Sequence, residues 1–183
     1  MRTAIFGGTF DPIHSAHLVV AREAADTFAL DQVLFIPAAN PPHKEAGAPY
    51  EDRYCMVELA CAADPRFVPS RLEEDRAVSY SIHTIERLNT AGQTLFFIIG
   101  ADAFAEIRSW RRWEDVVAGV EFIVVTRPGH VYDSPPGARV LRLETIALPV
   151  SSSEIRQELS KGETPSDLPP AVAEYIHAHG LYR

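Results

Sequence analysis

The fold is decided near the start of the chain, by residues 3–17, TAIFGGTFDPIHSAH. Residues 3–6 are apolar and β-prone and run into paired glycines, which is typical of a buried strand that ends in a tight loop. Apolar residues then recur at helical spacing from Leu18 to Phe28, and Ser15 is placed to cap that helix. This stretch therefore predicts a strand, a loop and a helix in succession.

The same alternation continues along the chain. Residues 32–37 (QVLFIP) predict a second buried strand, which completes a βαβ unit. Further strands are expected near 66–69, 94–99 and 121–126, and helices near 50–63, near 81–90, around Trp110 and Trp113, and after Ser151 and Leu168. Apolar strands without polar alternation indicate a mostly parallel sheet covered on both faces. The predicted class is α/β: a Rossmann-like, doubly wound sheet with a short C-terminal helical subregion.

Length and composition limit the organisation and the partners. With 183 residues, 46% of them hydrophobic and 23% charged, we expect one globular domain over residues 1–183. The net charge of -8 argues against nucleic acid as a partner, because its binders cluster Lys and Arg. Apolar runs are too short for a bilayer and no signal core is visible, so we expect a cytoplasmic protein without membrane contact. Homo-oligomer formation stays open.

The loop after the first predicted strand carries a candidate anion site. Ligands of doubly wound sheets bind beyond the carboxyl ends of the strands. Here His14 and His17 stand at the start of a helix, whose N–H groups and dipole favour anions. Imidazoles donate hydrogen bonds and gain charge near neutral pH, so we predict a phosphate cradle. The G-x-G-x-x-G pattern of dinucleotide-dependent dehydrogenases is missing from this loop, which argues against hydride transfer.

Residues 151–156 (SSSEIR) form a second candidate phosphate site. The spacing of Ser151 and Glu154 is that of a capping box, which predicts the start of a helix. Arg156 falls in the first two turns, where a cation opposes the helix dipole at a cost of roughly 0.3–1 kcal/mol. A bound anion would offset that cost. We therefore predict that Arg156 and the serine hydroxyls hold a leaving pyrophosphate.

Further short motifs complete a resemblance to a known family. They are Pro37-x-x-Asn40 followed by residues 41–44 (PPHK), Ser79-Tyr80-Ser81, residues 97–102 (FIIGAD), Ser109-Trp110, residues 127–129 (RPG) and residues 180–182 (GLY). Over nearly its whole length the chain resembles the nucleotidyltransferases with an H-x-G-H signature and, within them, the bacterial nicotinate-nucleotide adenylyltransferases. It departs from their pattern at Ala16, where glycine is usual, and at Arg111, where an aromatic residue is expected.

The resemblance implies a role for each matching residue. The catalytic group would be His14, His17, Lys44 and Arg156. The ATP site would contain Gly8, Thr9 and Phe10 through their backbone, Gly100 and Asp102 at the adenosine, and Ser151, Ser152 and Ser153 at the β and γ phosphates. The mononucleotide site would contain Asn40, Ser81, Trp110 stacked on the pyridine ring, and Arg127 paired with the phosphate.

The implied reaction is adenylyl transfer in NAD biosynthesis. The 5′-phosphate of nicotinate mononucleotide would attack the α-phosphorus of ATP and give nicotinate adenine dinucleotide and pyrophosphate. Since the nucleophile is already ionised, a general base has little to do, and catalysis rests on alignment and charge neutralisation. Mg²⁺ is expected to arrive with ATP and keep several waters, so we expect no metal ligands from the protein.

Three alternative functions stay open. A nicotinamide mononucleotide adenylyltransferase would differ only in recognising an amide in place of a carboxylate. A phosphopantetheine adenylyltransferase resembles the glycine and serine motifs, but the motifs on the mononucleotide side argue against it. A non-catalytic regulator that binds pyridine nucleotides would need no turnover, and the two intact phosphate clusters argue against that function.

Overall fold

The computed structural model describes residues 1–41, 45–75, 77–89, 93–145 and 150–183. The strands in these ranges are β1 (Arg2–Gly8), β2 (Gln32–Pro37), β3 (Phe67–Pro69), β4 (Thr94–Gly100), β5 (Glu121–Thr126) and β6 (Arg139–Glu144). The helices are α1 (Ser15–Thr27), α2 (Tyr50–Cys61), α3 (Ser81–Leu88), α4 (Ala101–Ala105), α5 (Trp113–Gly119), α6 (Ser152–Ser160) and α7 (Pro170–His179), with a 3-10 turn at Ile107–Ser109. None of the helices in the described ranges has the length and apolar character needed to cross a bilayer.

The strands form one sheet in the order β3-β2-β1-β4-β5-β6, and each neighbouring pair is parallel. This is the strand order of the Rossmann fold, so the predicted class is confirmed. The chain builds outward from β1 to β3 and then returns to place β4 on the other side of β1. The helices that follow β1 and β4 consequently pack on opposite faces, which opens a crevice between the carboxyl ends of these two strands.

Two apolar cores lie on either side of the sheet, because successive side chains of a strand point to opposite faces. In β1, Ala4 belongs to one core and Ile5 to the other, and in β4 Phe96 and Phe97 divide in the same way. The first core holds α1, α2, α6 and α7, whereas the second holds α3, α4 and α5. Burial on both faces explains why these strands lack polar alternation.

Several local predictions were wrong. The α1 cap is His14, because the helix already begins at Ser15, whose hydroxyl donates to the Asp167 carbonyl oxygen at 2.7 Å. Trp110 lies in an extended turn after the 3-10 segment and not in a helix; α5 begins only at Trp113, after Arg112 adopts a φ of 53°. The strand β6 and the short helix α4 were not predicted.

Candidate active site

The two predicted phosphate clusters come together, although they lie far apart in the sequence. The N-terminus of α6 packs on the loop that follows β1. There the Ser152 hydroxyl donates to the Pro12 carbonyl oxygen at 3.0 Å, and Nη1 of Arg156 donates to the Asp11 carbonyl oxygen at 2.7 Å. The same loop leads into α1 at His14. The N-termini of α1 and α6 therefore converge on residues 11–14.

The two histidines at the start of α1 form a stacked pair. Their ring centroids lie 3.7 Å apart with an angle of 29° between the planes. The backbone N–H of His14 donates to Nδ1 of His17 at 3.2 Å. Because Nδ1 accepts this hydrogen bond, the neutral ring of His17 carries its proton on Nε2. Nε2 is thus the atom of His17 that can donate a hydrogen bond to a ligand.

Both rings are uncharged at neutral pH, contrary to the expectation from their sequence position. Burial lowers the pKa of His14 to about 4, although Asp167 acts in the opposite direction. Burial, followed by the influence of His14, holds the pKa of His17 well below its ordinary value. The Phe10 ring contacts His17 edge to face, with centroids 5.1 Å apart, and contributes to the apolar surroundings. This site therefore offers neutral hydrogen-bond donors.

The start of α6 has a different character. The predicted capping box is confirmed: the Glu154 N–H donates to the Ser151 hydroxyl oxygen at 3.2 Å, and the Ser151 N–H donates to Oε2 of Glu154 at 3.2 Å. The Arg156 side chain is 34% exposed and lies 3.7 Å from the Asp11 carboxylate. Asp11 thus offsets part of the cost of a cation at this end of the helix. The position of Arg156 alone does not require a bound anion.

Asp11 holds this region together, although it was not among the predicted site residues. Its buried carboxylate accepts hydrogen bonds from the N–H groups of Gly47 at 2.6 Å and Ala48 at 3.0 Å and from the Tyr182 hydroxyl at 2.7 Å. Three segments that are distant in the sequence meet at this carboxylate. Asp11 therefore fixes the loop on which the two helix N-termini converge.

Arg53 is the second missed residue, and its side chain is 1% exposed. Its guanidinium donates to the carbonyl oxygens of Thr9 and Ala38, both at 2.8 Å, of Ala48 at 3.1 Å and of Ala39 at 3.3 Å. It thereby joins the loops that follow β1 and β2. The available signal was a charged residue on the face that α2 buries, three and four positions before Met56 and Val57.

A groove runs along the carboxyl ends of the central strands. At the carboxyl end of β5 it contains a cavity of about 410 Å³, whose lining includes Gly100, Asp102 and Arg127. Gly100 also lines the adjoining cavity of about 230 Å³, together with Gly8 and other residues of β1 and β4. Asp102 and Arg127, which were predicted on the ATP side and the mononucleotide side respectively, thus share one cavity.

The groove continues past Trp110, which lines both the 230 Å³ cavity and a further one of about 540 Å³. The Trp110 ring packs edge to face on Phe97, with centroids 5.8 Å apart. Ser81, the first residue of α3, lines the same two cavities. Asn40 lies beside this part of the groove, because its carbonyl oxygen accepts from the Ser79 N–H at 2.9 Å. The structure thus brings Asn40, Ser81 and Trp110 together.

The remaining predicted site residues are Gly8 at the end of β1, Thr9 and Phe10 in the loop after it, and Lys44. Phe10 has a φ of 47° and a buried ring, and a Cβ placed on Gly8 would lie 3.1 Å from that ring, so a side chain at position 8 would require the ring to shift by a few tenths of an ångström. Thr9 presents its carbonyl oxygen to Arg53. Lys44 lies outside the described residues. The described part of the chain contains no cluster of three His, Cys, Asp or Glu side chains with metal-binding geometry.

A larger cavity lies elsewhere. It has a volume of about 860 Å³, lies between α6 and α7, and is lined by Leu159, Leu168, Ile176 and other residues outside both phosphate clusters. Cavity volume alone would therefore place the active site away from the two converging helix N-termini. The chemistry of the smaller groove, with histidines, serines and arginines at its edge, favours the groove as the active site.

Comparison with known proteins identifies the family. The cytidylyltransferase-like family matches residues 5–158. The chain is 59% identical to the probable nicotinate-nucleotide adenylyltransferase of Solibacter usitatus, with 100% of both chains covered. It is 44% identical to the one of Acidothermus cellulolyticus, covering 100% of this chain and 94% of the relative.

Solved structures agree on the fold. The Plasmodium falciparum nicotinic acid mononucleotide adenylyltransferase complexed with NaAD has a TM-score of 0.82 at 22% identity, covering 99% of this chain and 97% of the other. The putative nicotinate-nucleotide adenylyltransferase of Vibrio parahaemolyticus has a TM-score of 0.73 at 19% identity, covering 96% and 98%. The fold, the paired helix N-termini and the full-length identity to curated relatives lead to one conclusion: the chain belongs to the cytidylyltransferase-like family and, within it, to the nicotinate-nucleotide adenylyltransferases.

Proposed function

We propose that the protein transfers the adenylyl group of ATP to nicotinate mononucleotide, forming nicotinate adenine dinucleotide and pyrophosphate in NAD biosynthesis. The observation that carries this function is the convergence of the α1 and α6 N-termini on residues 11–14, beside the crevice between β1 and β4. That arrangement suits a triphosphate. The relatives named nicotinate-nucleotide adenylyltransferase, which are 59% and 44% identical to this chain, support nicotinate mononucleotide as the acceptor.

The histidine pair serves the reacting phosphate. An oxygen of the mononucleotide phosphate attacks the α-phosphorus of ATP, the bond between the α-phosphorus and the bridging oxygen breaks, and the electron pair leaves on pyrophosphate. His17 donates its Nε2–H to an α-phosphate oxygen as negative charge develops there, and His14 supports it through the stacked ring and backbone N–H. Donors fixed before the reaction need no rearrangement in the transition state.

The α6 cluster serves the leaving group. Arg156 holds a permanent charge on the loop that begins α1, and the hydroxyls of Ser151, Ser152 and Ser153 lie beside the first N–H groups of the helix. These groups bind the β and γ phosphates. Lys44 is the further catalytic cation, on the side of the mononucleotide. On the other side of the crevice, Trp110 stacks on the pyridine ring, with Asn40 and Ser81 near it. Asp102 accepts from ribose hydroxyls, and Arg127 pairs with a phosphate.

Nucleotidyltransferases of this kind use a divalent metal with ATP, and we propose that the ion is Mg²⁺. The donors in the phosphate region are imidazoles, hydroxyls and guanidinium groups, which suit anions better than Mg²⁺. Among the described residues, the Asp11 carboxylate already accepts from Gly47, Ala48 and Tyr182. The phosphates of ATP would therefore hold the ion, and the protein would bind the phosphates.

The decisive experiment measures pyrophosphate release from Mg-ATP when nicotinate mononucleotide, nicotinamide mononucleotide or phosphopantetheine is offered separately to the purified protein. We expect release mainly with the nicotinate form and a product with the mass of nicotinate adenine dinucleotide. A preference for phosphopantetheine would contradict the family branch. ATP binding without turnover of any acceptor would favour the non-catalytic regulator.

A further inference from the structure

Arginines near the start of α5 differ in how their charges are compensated. Nη1 of Arg108 lies 3.5 Å from the Asp133 carboxylate, and Nη1 of Arg112 lies 2.8 Å from Glu86. Arg111 stands between them in the sequence and is exposed. Within the described ranges, no carboxylate forms an ion pair with it. Arg111 therefore keeps an uncompensated positive charge.

The Arg111 guanidinium is nevertheless held in place. It lies over the Tyr80 ring, with Cζ 5.0 Å from the ring centroid, and such cation–π contacts favour one orientation of the side chain. Arg111 also lines the 540 Å³ cavity together with Trp110 and Ser81. None of the described residues that line that cavity is Asp or Glu. The cavity thus combines an indole ring with an unpaired, oriented guanidinium, which suits a flat ligand that carries negative charge.

The start of α3 adds to this field. Ser81 is the first residue of that helix, so the positive end of the helix dipole opens on the same cavity. Trp110 lines this cavity and also the 230 Å³ cavity that reaches Gly8 at the end of β1. A pyridine ring stacked on Trp110 would therefore present its substituent toward Ser81 and Arg111, while the rest of the ligand extends toward the phosphate site.

We propose that Arg111 binds the carboxylate of the nicotinate ring and makes the site select nicotinate mononucleotide over nicotinamide mononucleotide. This inference rests on the proposed function and names the residue that determines its acceptor specificity. A carboxylate accepts two hydrogen bonds from the guanidinium fork and neutralises its charge. A carboxamide is uncharged and has one accepting oxygen in place of two, beside an NH₂ group that cannot accept from a guanidinium, so the same site binds it less tightly.

The test compares kcat/KM for the two mononucleotides in the wild type and three variants. Arg111→Met keeps an unbranched apolar stem against Tyr80 but removes the charge, and Arg111→Lys keeps the charge without the fork. Arg108→Met is the matched control, because Arg108 is an exposed arginine that does not line the groove cavities. We expect Arg111→Met to lower the preference for the nicotinate form by about tenfold, the usual scale for one charge-assisted hydrogen bond.

The pattern of the effect is as important as its size. The loss in Arg111→Met should appear as a raised KM for nicotinate mononucleotide, with the KM for ATP and the kcat/KM for the amide unchanged. Arg111→Lys should keep part of the preference, and Arg108→Met all of it. The inference would be overturned if Arg111→Met lowered kcat/KM equally for both mononucleotides, or left the ratio of the two kcat/KM values unchanged. In either case, turnover of nicotinate mononucleotide by the wild type would leave the proposed function intact. Wild-type turnover of neither mononucleotide would overturn both.

Discussion

The N-termini of α1 and α6 rest on the same loop, yet they are built for different charges. The start of α1 carries two stacked histidines, of which His14 is buried, and both rings are neutral. The start of α6 is closed by an exposed capping box of Ser151 and Glu154, and its permanent charge belongs to Arg156. One helix offers neutral donors, and the other offers a fixed cation.

This difference matches two steps of phosphate chemistry. A leaving pyrophosphate is strongly charged before, during and after the reaction, so a permanent guanidinium suits it. Charge at the attacked phosphorus changes only as the transition state forms, and a neutral donor that is already oriented favours that change without tightening the ground state equally. Changes to the α1 pair should therefore lower kcat, whereas changes to the α6 group should raise the KM for ATP.

The largest expected effect is that of His17→Ala. Loss of the Nε2–H donor should lower kcat by at least about a hundredfold, as is usual for removal of an oriented transition-state donor, while the fold persists. Steady-state pyrophosphate release measures the loss, and circular dichroism checks the fold. His177→Ala on α7, an exposed histidine, is the control. A kcat within about threefold of the wild type would show that the α1 pair does not act on the transition state.

Arg156→Ala should have a smaller effect, and on a different parameter. We expect the KM for ATP to rise about tenfold, because one charge-assisted contact to the leaving phosphates is lost, while the KM for the mononucleotide changes little. Arg156→Lys should restore part of the affinity, since it keeps the charge. A selective rise in the KM for the mononucleotide would show that Arg156 binds the mononucleotide and not the leaving phosphates. The proposed difference between the two helix N-termini would then be wrong.

Tyr182→Phe tests the loop that both helices share. It removes the hydroxyl that donates to Asp11 at 2.7 Å, and we expect the free energy of unfolding to fall by about 1.5 kcal/mol. The KM for ATP should rise about threefold, since Asp11 also positions Arg156. Tyr175→Phe is the matched control, because its hydroxyl donates to Asp52 at 2.9 Å on α2. It should lower stability without changing the KM for ATP.

The last prediction is that the rings of His14 and His17 do not titrate near neutral pH. Ring-nitrogen NMR of the ligand-free protein should show His14 and His17 neutral from about pH 8 to 5.5, since burial depresses the pKa of each. The unfolded chain takes up these protons more readily than the folded one. Stability is therefore complete above about pH 6.5 and falls as the pH drops toward 4. A titration midpoint near pH 6.5 for either ring would contradict the proposed difference in charge between the N-termini of α1 and α6.

The sequence was sufficient for the parts of the fold that depend on local pattern. Buried central strands such as β1 and β4 are continuous apolar runs, and the Ser151 capping box lies within one helical turn. The edge strand β6 was missed because Arg139, Arg142 and Glu144 interrupt its apolar residues and are exposed, so that the strand has no continuous apolar run.

The site was predicted less completely, for two physical reasons. The neutral state of His14 and His17 follows from burial, which depends on the packing of distant segments. The bonds of Asp11 with Tyr182, and of Arg53 with Thr9, join residues that are far apart in the chain, so no short motif contains both partners. The predicted roles of the site residues, and a single domain over residues 1–183, stay predictions that the experiments above address.

Within the described part of the chain, the guanidinium of Arg53 donates only to main-chain oxygens, those of Thr9, Ala38, Ala39 and Ala48. Every amino acid supplies such an oxygen. The loops beside the active site can therefore exchange side chains during evolution without losing this link, provided that the path of the backbone is kept. Position 53 has no such freedom, because lysine lacks the planar fork that reaches several acceptors at once. Divergence in these loops thus depends on one buried residue that holds their main chain.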